Sequence, residues 1–148
     1  MNIQLNSEKS DCRRIIVRKG KEYFVFKQES IAYIYLENKL CFLVEKAKGL
    51  KYILSRPLRD IEMSLDSANF YRINKKYLVN IDSVEKFRVC GKGRMEIILA
   101  PDPGEKIIIS QLNAQGFKKW IMMGENYKHS MARGAMRVEY LDSDSIAF

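Results

Sequence analysis

Apolar and polar residues alternate with a period of two over much of the chain, and the places where that period fails mark its turns and helices. Ile15, Ile16 and Val17, inside Arg14 to Lys19, predict a first strand, and Lys19-Gly20-Lys21 the turn that ends it. Tyr23 to Phe26 is aromatic and β-branched, which suits a pairing strand and makes the two a hairpin. Gln28-Glu29-Ser30 then opens a segment with Ile31, Ala32, Ile34 and Tyr35 apolar, followed by Leu36-Glu37-Asn38-Lys39. Strand composition returns from Leu40 to Glu45 and from Lys51 to Leu54, with Lys48-Gly49 as the turn between them.

At Ser55 the period changes. Ser55 can cap, Pro57 suits a first turn, and Leu58, Ile61 and Leu65 fall on one helical face, so a helix of two or three turns should end between Asp66 and Asn69. The stretch Asn69 to Asn80 follows. From Tyr77 the alternation returns, with Tyr77, Val79 and Ile81 on one face and Leu78 and Asn80 on the other, whereas Arg72, Asn74, Lys75 and Lys76 put three cations and an amide into five residues. Solvent or an anion must receive such a cluster. Residues 81–87 should turn once before a strand through Arg88 to Cys90, Gly91-Lys92-Gly93-Arg94 is a tight basic turn, and Met95 to Leu99 is the strand behind it. Pro101-Asp102-Pro103-Gly104-Glu105 is strong turn chemistry, Lys106 to Ser110 the next strand, and Leu112 to Met123 a closing helix that carries Phe117, Trp120 and Ile121.

The stretch around Asn69 to Asn80 resembles the signature of the LytTR family of bacterial DNA-binding domains, approximately Phe-x-Arg-x-His-(Arg/Lys/Asn)-Ser-hydrophobic-x-Val-Asn. Phe70, Arg72, Tyr77, Val79 and Asn80 stand in register, while Asn74 replaces a frequent His and Lys76 a frequent Ser. The bland alternative is an ordinary strand with a basic lead-in. The resemblance covers Arg14 to Ile121 and implies a mainly β fold with short helices: an elongated β-sheet fold with a terminal helix. It also implies that DNA is read through loops at one edge of the sheets and not by a recognition helix. It divides the chain into a flexible lead-in over 1–13, the DNA-binding domain over 14–123, and a C-terminal extension over 124–148. That extension holds a weak apolar group in Val138, Tyr140 and Leu141, and is either disordered or packed on the domain or a second copy.

In such domains base and phosphate contacts come from three places, which here are Lys39 to Cys41, Asn74 to Lys76, and Ser110-Gln111. The DNA-binding residues expected from the resemblance are therefore Lys39, Cys41, Asn74, Lys75, Lys76, Ser110 and Gln111. Lys75 and Lys76 can neutralise phosphates. Asn74 and Gln111 carry the amide pair that reads the N6/N7 edge of adenine, and Gln111 departs from a frequent Arg that would favour guanine. Cys41 could touch a thymine methyl, against the competing reading of a buried thiol. Arg72 suits an intramolecular ion pair as well as DNA. Lys92 and Arg94 suit a flanking phosphate or plain solvent, Trp120 suits the core, and His129 the surface.

Composition narrows the class. The chain has 148 residues, 47% hydrophobic and 30% charged, which fits one folded domain. Its formal charge of +8 favours a polyanion, nucleic acid or an anionic membrane surface. Cys12, Cys41 and Cys90 have no C-x-x-C spacing, which suggests reduced thiols in a cytoplasmic protein, and with His129 they build no zinc site. The N-terminus lacks a signal peptide's apolar stretch, and no window has the apolar length of a membrane span. There is no phosphate-binding glycine loop and no histidine base beside a nucleophile, and Asp102 and Glu105 sit in a turn. The expectation is a non-enzymatic transcriptional regulator without cofactors. It would bind double-stranded DNA as a homodimer on paired half-sites. Such domains usually follow a receiver, for which there is no room before Arg14, so the chain is either a fragment of something larger or a stand-alone regulator whose signal comes through a partner, such as a sensor or receiver of a two-component system, a bound ligand or its own abundance. The rival is an interaction module that binds an acidic protein or membrane surface through the basic edge or the tail.

Overall fold

Residues 14–132 are described by a computed structural model, with side chains through residue 123. The expected lead-in over 1–13, with Cys12, and residues 133–148 of the expected extension, with Val138, Tyr140 and Leu141, lie outside the described residues. The chain divides into two units, one ending at Ser83 and the other beginning at Val84.

In the first unit, β1 (Arg14–Lys19) and β2 (Glu22–Lys27) form an antiparallel hairpin, Arg14 opposite Lys27 and Lys19 opposite Glu22. A two-residue turn fixes that register. Ile15, Val17 and Phe26 therefore share the inner face, while Ile16, Val25 and Tyr23 stand on the outer one. One 3-10 turn, Gln28–Ser30, leads into β3 (Ile31–Glu37), followed by β4 (Leu40–Glu45), β5 (Lys51–Leu54), β6 (Phe70–Arg72) and β7 (Tyr77–Asn80). These five pair antiparallel in the order β5-β4-β3-β7-β6.

Between β5 and β6 the helix α1 (Leu58–Ser64) lays Leu58 and Ile61 into the core, joined by Leu65. Ser55 does not cap it, contrary to the sequence expectation. Pro57 holds the N-cap position in an extended conformation, and Ser55 stands two residues too early to reach the first free N–H groups. Leu65 turns extended and ends the helix sooner than Asp66, and the Asp66 side chain organises the next turn by accepting from the Ala68 N–H at 3.0 Å. The core of this unit gathers Ile15, Val17 and Phe26 of the hairpin, Ile34, Leu43 and Leu78 of the sheet, and the α1 residues. On the sheet's opposite face Tyr35 stacks between Phe42 at 5.2 Å and Tyr77 at 5.6 Å.

In the second unit β8 (Val84–Val89), β9 (Met95–Leu99) and β10 (Ile107–Ile109) form an antiparallel sheet in the order β10-β9-β8, followed by the helix α2 (Gln111–Ala132). β8 begins earlier than the Arg88 expected from sequence, because the preceding 3-10 turn takes only Ile81–Ser83. Met95, Ile97, Leu99, Ile107, Ile109, Ala114 and Phe117 are buried, and Phe117 meets Phe87 edge-on at 5.2 Å. Trp120 is half-buried against Phe117 at 6.0 Å. α2 runs past the expected Met123 to Ala132, so its backbone continues into the first part of the expected extension; the side chain of His129 lies outside the described residues.

Candidate nucleic-acid interface

The register of β3 and β4 puts Glu37 opposite Leu40, which leaves only Asn38 and Lys39 to make the connection. Both take positive φ, 53° and 67°, the backbone of a type I′ turn, whose twist matches that of the flanking strands. Asn suits the first position; a lysine at the second carries roughly 1 kcal/mol of backbone strain. The reach of this loop is therefore shorter than expected, with Lys39 exposed at its tip and the next two residues already in β4. Cys41 is corrected by this geometry. It faces the core at 3% exposure, opposite Leu36 and Leu54, where no base can reach it. Burial pushes its thiol pKa up from 9.0, and the nearby positive charge of Arg72 offsets part of that shift.

β7 runs antiparallel to β3 with Tyr35 opposite Tyr77, and the Leu36 N–H donates to the Lys76 carbonyl at 2.9 Å. The start of β7 and the end of β3 thus meet at one end of the sheet, and Asn74-Lys75-Lys76 lies beside the Asn38-Lys39 turn. That loop is closed by the Ile73 N–H donating to the Tyr77 carbonyl at 3.0 Å. Inside it Asn74 Oδ1 accepts from the Lys76 N–H at 2.8 Å and the Tyr77 N–H at 2.7 Å. Both lone pairs of that oxygen are then engaged, so the paired donor-acceptor reading of adenine expected of Asn74 reduces to its Nδ2 donor. Lys75 is exposed, and the Lys76 ammonium lies 5.6 Å from the centre of the Tyr77 ring. Arg72 takes its intramolecular role: it pairs with Glu62 at 3.5 Å and donates through Nη2 to the Lys75 carbonyl at 2.9 Å.

One cation at this end escaped the sequence reading. Leu54 closes β5 opposite Cys41, so Arg56 emerges at the same end, donating at 3.3 Å to the Asp60 carbonyl and at 3.4 Å to Ser64 Oγ. Only the β4-β5 register reveals it. At the other end of the sheet the signature's Asn80, 2% exposed, donates to the Ile31 carbonyl at 2.9 Å and accepts from the Asp82 N–H at 2.9 Å. There Gln28, Glu29, Asn69, Phe70, Asn80 and Asp82 line a cavity of about 280 Å³. The Asp82 carboxylate there pairs with Lys46 at 3.6 Å.

The remaining expected residues belong to the second unit. Ser110 caps α2: its Oγ accepts from the Asn113 N–H at 3.2 Å, and its carbonyl accepts from the Ala114 N–H at 2.8 Å. Gln111 follows as the first helical residue and is exposed. Beside it a cavity of about 300 Å³ is lined by Gly93, Arg94, Gln111, Gln115 and Lys118, among others. Lys92 is exposed on the β8-β9 turn. Arg94 folds back on that turn through long contacts to the Gly91 carbonyl at 3.4 Å and the Cys90 carbonyl at 3.5 Å.

Among the described residues no group of His, Cys, Asp and Glu is placed to hold a metal ion, and no helix is long and apolar enough to cross a membrane. The family model described as the LytTr DNA-binding domain matches residues 21–122. Among solved structures, the LytTr DNA-binding domain of a Bacillus cereus protein described as a methyl-accepting/DNA response regulator aligns with a TM-score of 0.63. It shares 15% identity and covers 74% of this chain and 96% of its own. No curated protein matches the chain.

Proposed function

The chain belongs to the LytTr DNA-binding domain family, and from that premise we propose that it is a sequence-specific, non-catalytic transcriptional regulator that binds double-stranded DNA. The observation that supports this most is the gathering of lysines at one end of the five-stranded sheet. Lys39, Lys75 and Lys76 stand together there, on two loops that the pairing of β3 with β4 and β7 brings side by side. The lysines neutralise phosphates and set the protein's register without reading sequence. Gln111 supplies the paired amide that reads adenine, and Asn74 contributes its one remaining donor. Ser110 keeps its hydroxyl hydrogen for a phosphate while its oxygen caps α2. Two copies occupy paired half-sites, in the cytoplasm, and a sensor or receiver supplies the signal.

Selection from a random duplex library, with the enriched sequences followed across a salt series, tests this. A spaced pair of related half-sites is expected. Uniform, steeply salt-dependent binding with no enriched motif would contradict it.

A second reading, an interaction module for an acidic protein, draws support from the outer face of the β1-β2 hairpin. There Ile16 and Val25 oppose each other at 60% and 57% exposure, beside Tyr23 and bordered by Arg14, Arg18 and Lys27. Ile16→Asp with Val25→Asp should leave DNA binding intact; loss of DNA binding in a folded variant would join this face to the DNA-binding surface and remove the second reading.

A further inference from the structure

Gln111 and Asn74 are both amides, but their surroundings differ. The Asn74 oxygen is consumed by its own loop, whereas Gln111 is exposed and its amide makes no hydrogen bond among the described residues. A free glutamine side chain has several rotatable bonds, and its reading of a base is diluted by their disorder unless the stem is held. The β8-β9 turn supplies a hold. Gly91, Lys92 and Gly93 take positive φ in succession, 98°, 53° and 75°, and the Arg94 N–H closes the turn on the Gly91 carbonyl at 2.9 Å. That backbone brings Gly93 against the side chain of Gln111, where a Cβ on Gly93 would lie 2.7 Å from Cγ and from the amide carbon Cδ, and 3.0 Å from Nε2. Any other residue at 93 would meet the Gln111 side chain first, because the three atoms nearest to that Cβ all belong to it.

We propose that Gly93 is a positioning residue for DNA specificity: its missing side chain is the seat that holds the Gln111 stem, so that the Gln111 amide is presented to one base pair in a fixed pose. This rests on the base-reading role given to Gln111 above. Gly93 itself touches no DNA in this scheme, and its effect passes through Gln111.

The test is a double-mutant cycle on the selected operator, reading discrimination between the preferred and a mismatched base pair. Gln111→Ala should lower discrimination at one position by roughly ten-fold. Gly93→Ala should lower it several-fold at that same position, with an unchanged salt slope because no charge is altered. In the Gln111→Ala background Gly93→Ala should add nothing. Where the alanine variant does not fold, Gly93→Asn adds the same Cβ in a residue that tolerates positive φ. In the unmodified chain, a nuclear Overhauser contact between the Gly93 α-protons and the Gln111 γ-protons is expected, and its absence would overturn the seat. Discrimination kept by Gly93→Ala but lost by Gln111→Ala removes the positioning role alone. An equal loss from Gly93→Ala in both backgrounds does the same. Discrimination kept by Gln111→Ala removes the base-reading role, and the positioning role with it.

Discussion

At the scale of single residues, polar side chains in this chain divide into those spent on the fold and those left for a ligand, and only hydrogen-bond partners tell them apart. Asn80 lies in the signature but works inside the protein, bridging the Ile31 carbonyl and the Asp82 N–H. Asn80→Ala strands the Ile31 carbonyl in a buried site and should destabilise the chain by about 1–3 kcal/mol, measured by denaturant titration. Cys41 makes the same point for a thiol. Its strand alternation is visible in the sequence, but which face is core depends on where β5 and α1 pack, so its reading as a base contact does not survive its burial. Its raised pKa has a definite sign. The folded state holds the proton more tightly than the unfolded one, so the contribution to stability is complete below 9.0 and is lost as pH rises through the folded value. Unfolding midpoints should fall in that alkaline window, and the fall should be smaller in Cys41→Ala.

At the scale of elements, most strands among the described residues were legible because a half-buried antiparallel sheet imposes a period of two on its residues, while the three-residue β6 is too short to show that period. Turn lengths and helix ends were less so. The contact loop expected at Lys39 to Cys41 narrows to a two-residue connection, Asn38 and Lys39, since the pairing of Glu37 with Leu40 is a cross-strand fact that no local pattern carries. Ser55 has the chemistry of a cap but the wrong distance from the helix, while Ser110 has both. Ser110→Ala should therefore cost about 1 kcal/mol of stability, seen as a lower unfolding midpoint, whereas Ser55→Ala should leave it within a few tenths. Arg56 belongs to the same lesson, because an arginine beside a proline announces nothing until β5 is set against β4.

At the scale of the molecule, the net charge of +8 says only that a polyanion is welcome. The fold adds where. Antiparallel pairing of β3 with both β4 and β7 brings the Lys39 turn and the Lys75-Lys76 loop to one end of a single sheet, although they are far apart in sequence. The family signature pointed to both loops, yet their proximity rests on strand order, which composition does not encode. The most direct measurement is the salt dependence of binding to the selected operator, compared between the unmodified chain and the triple variant Lys39→Ala, Lys75→Ala, Lys76→Ala. If each lysine displaces a counterion from a phosphate, the slope of log K against log salt should become shallower by nearly one unit per lysine. Unchanged affinity and slope in a folded triple variant would contradict the placement of DNA at this end of the sheet.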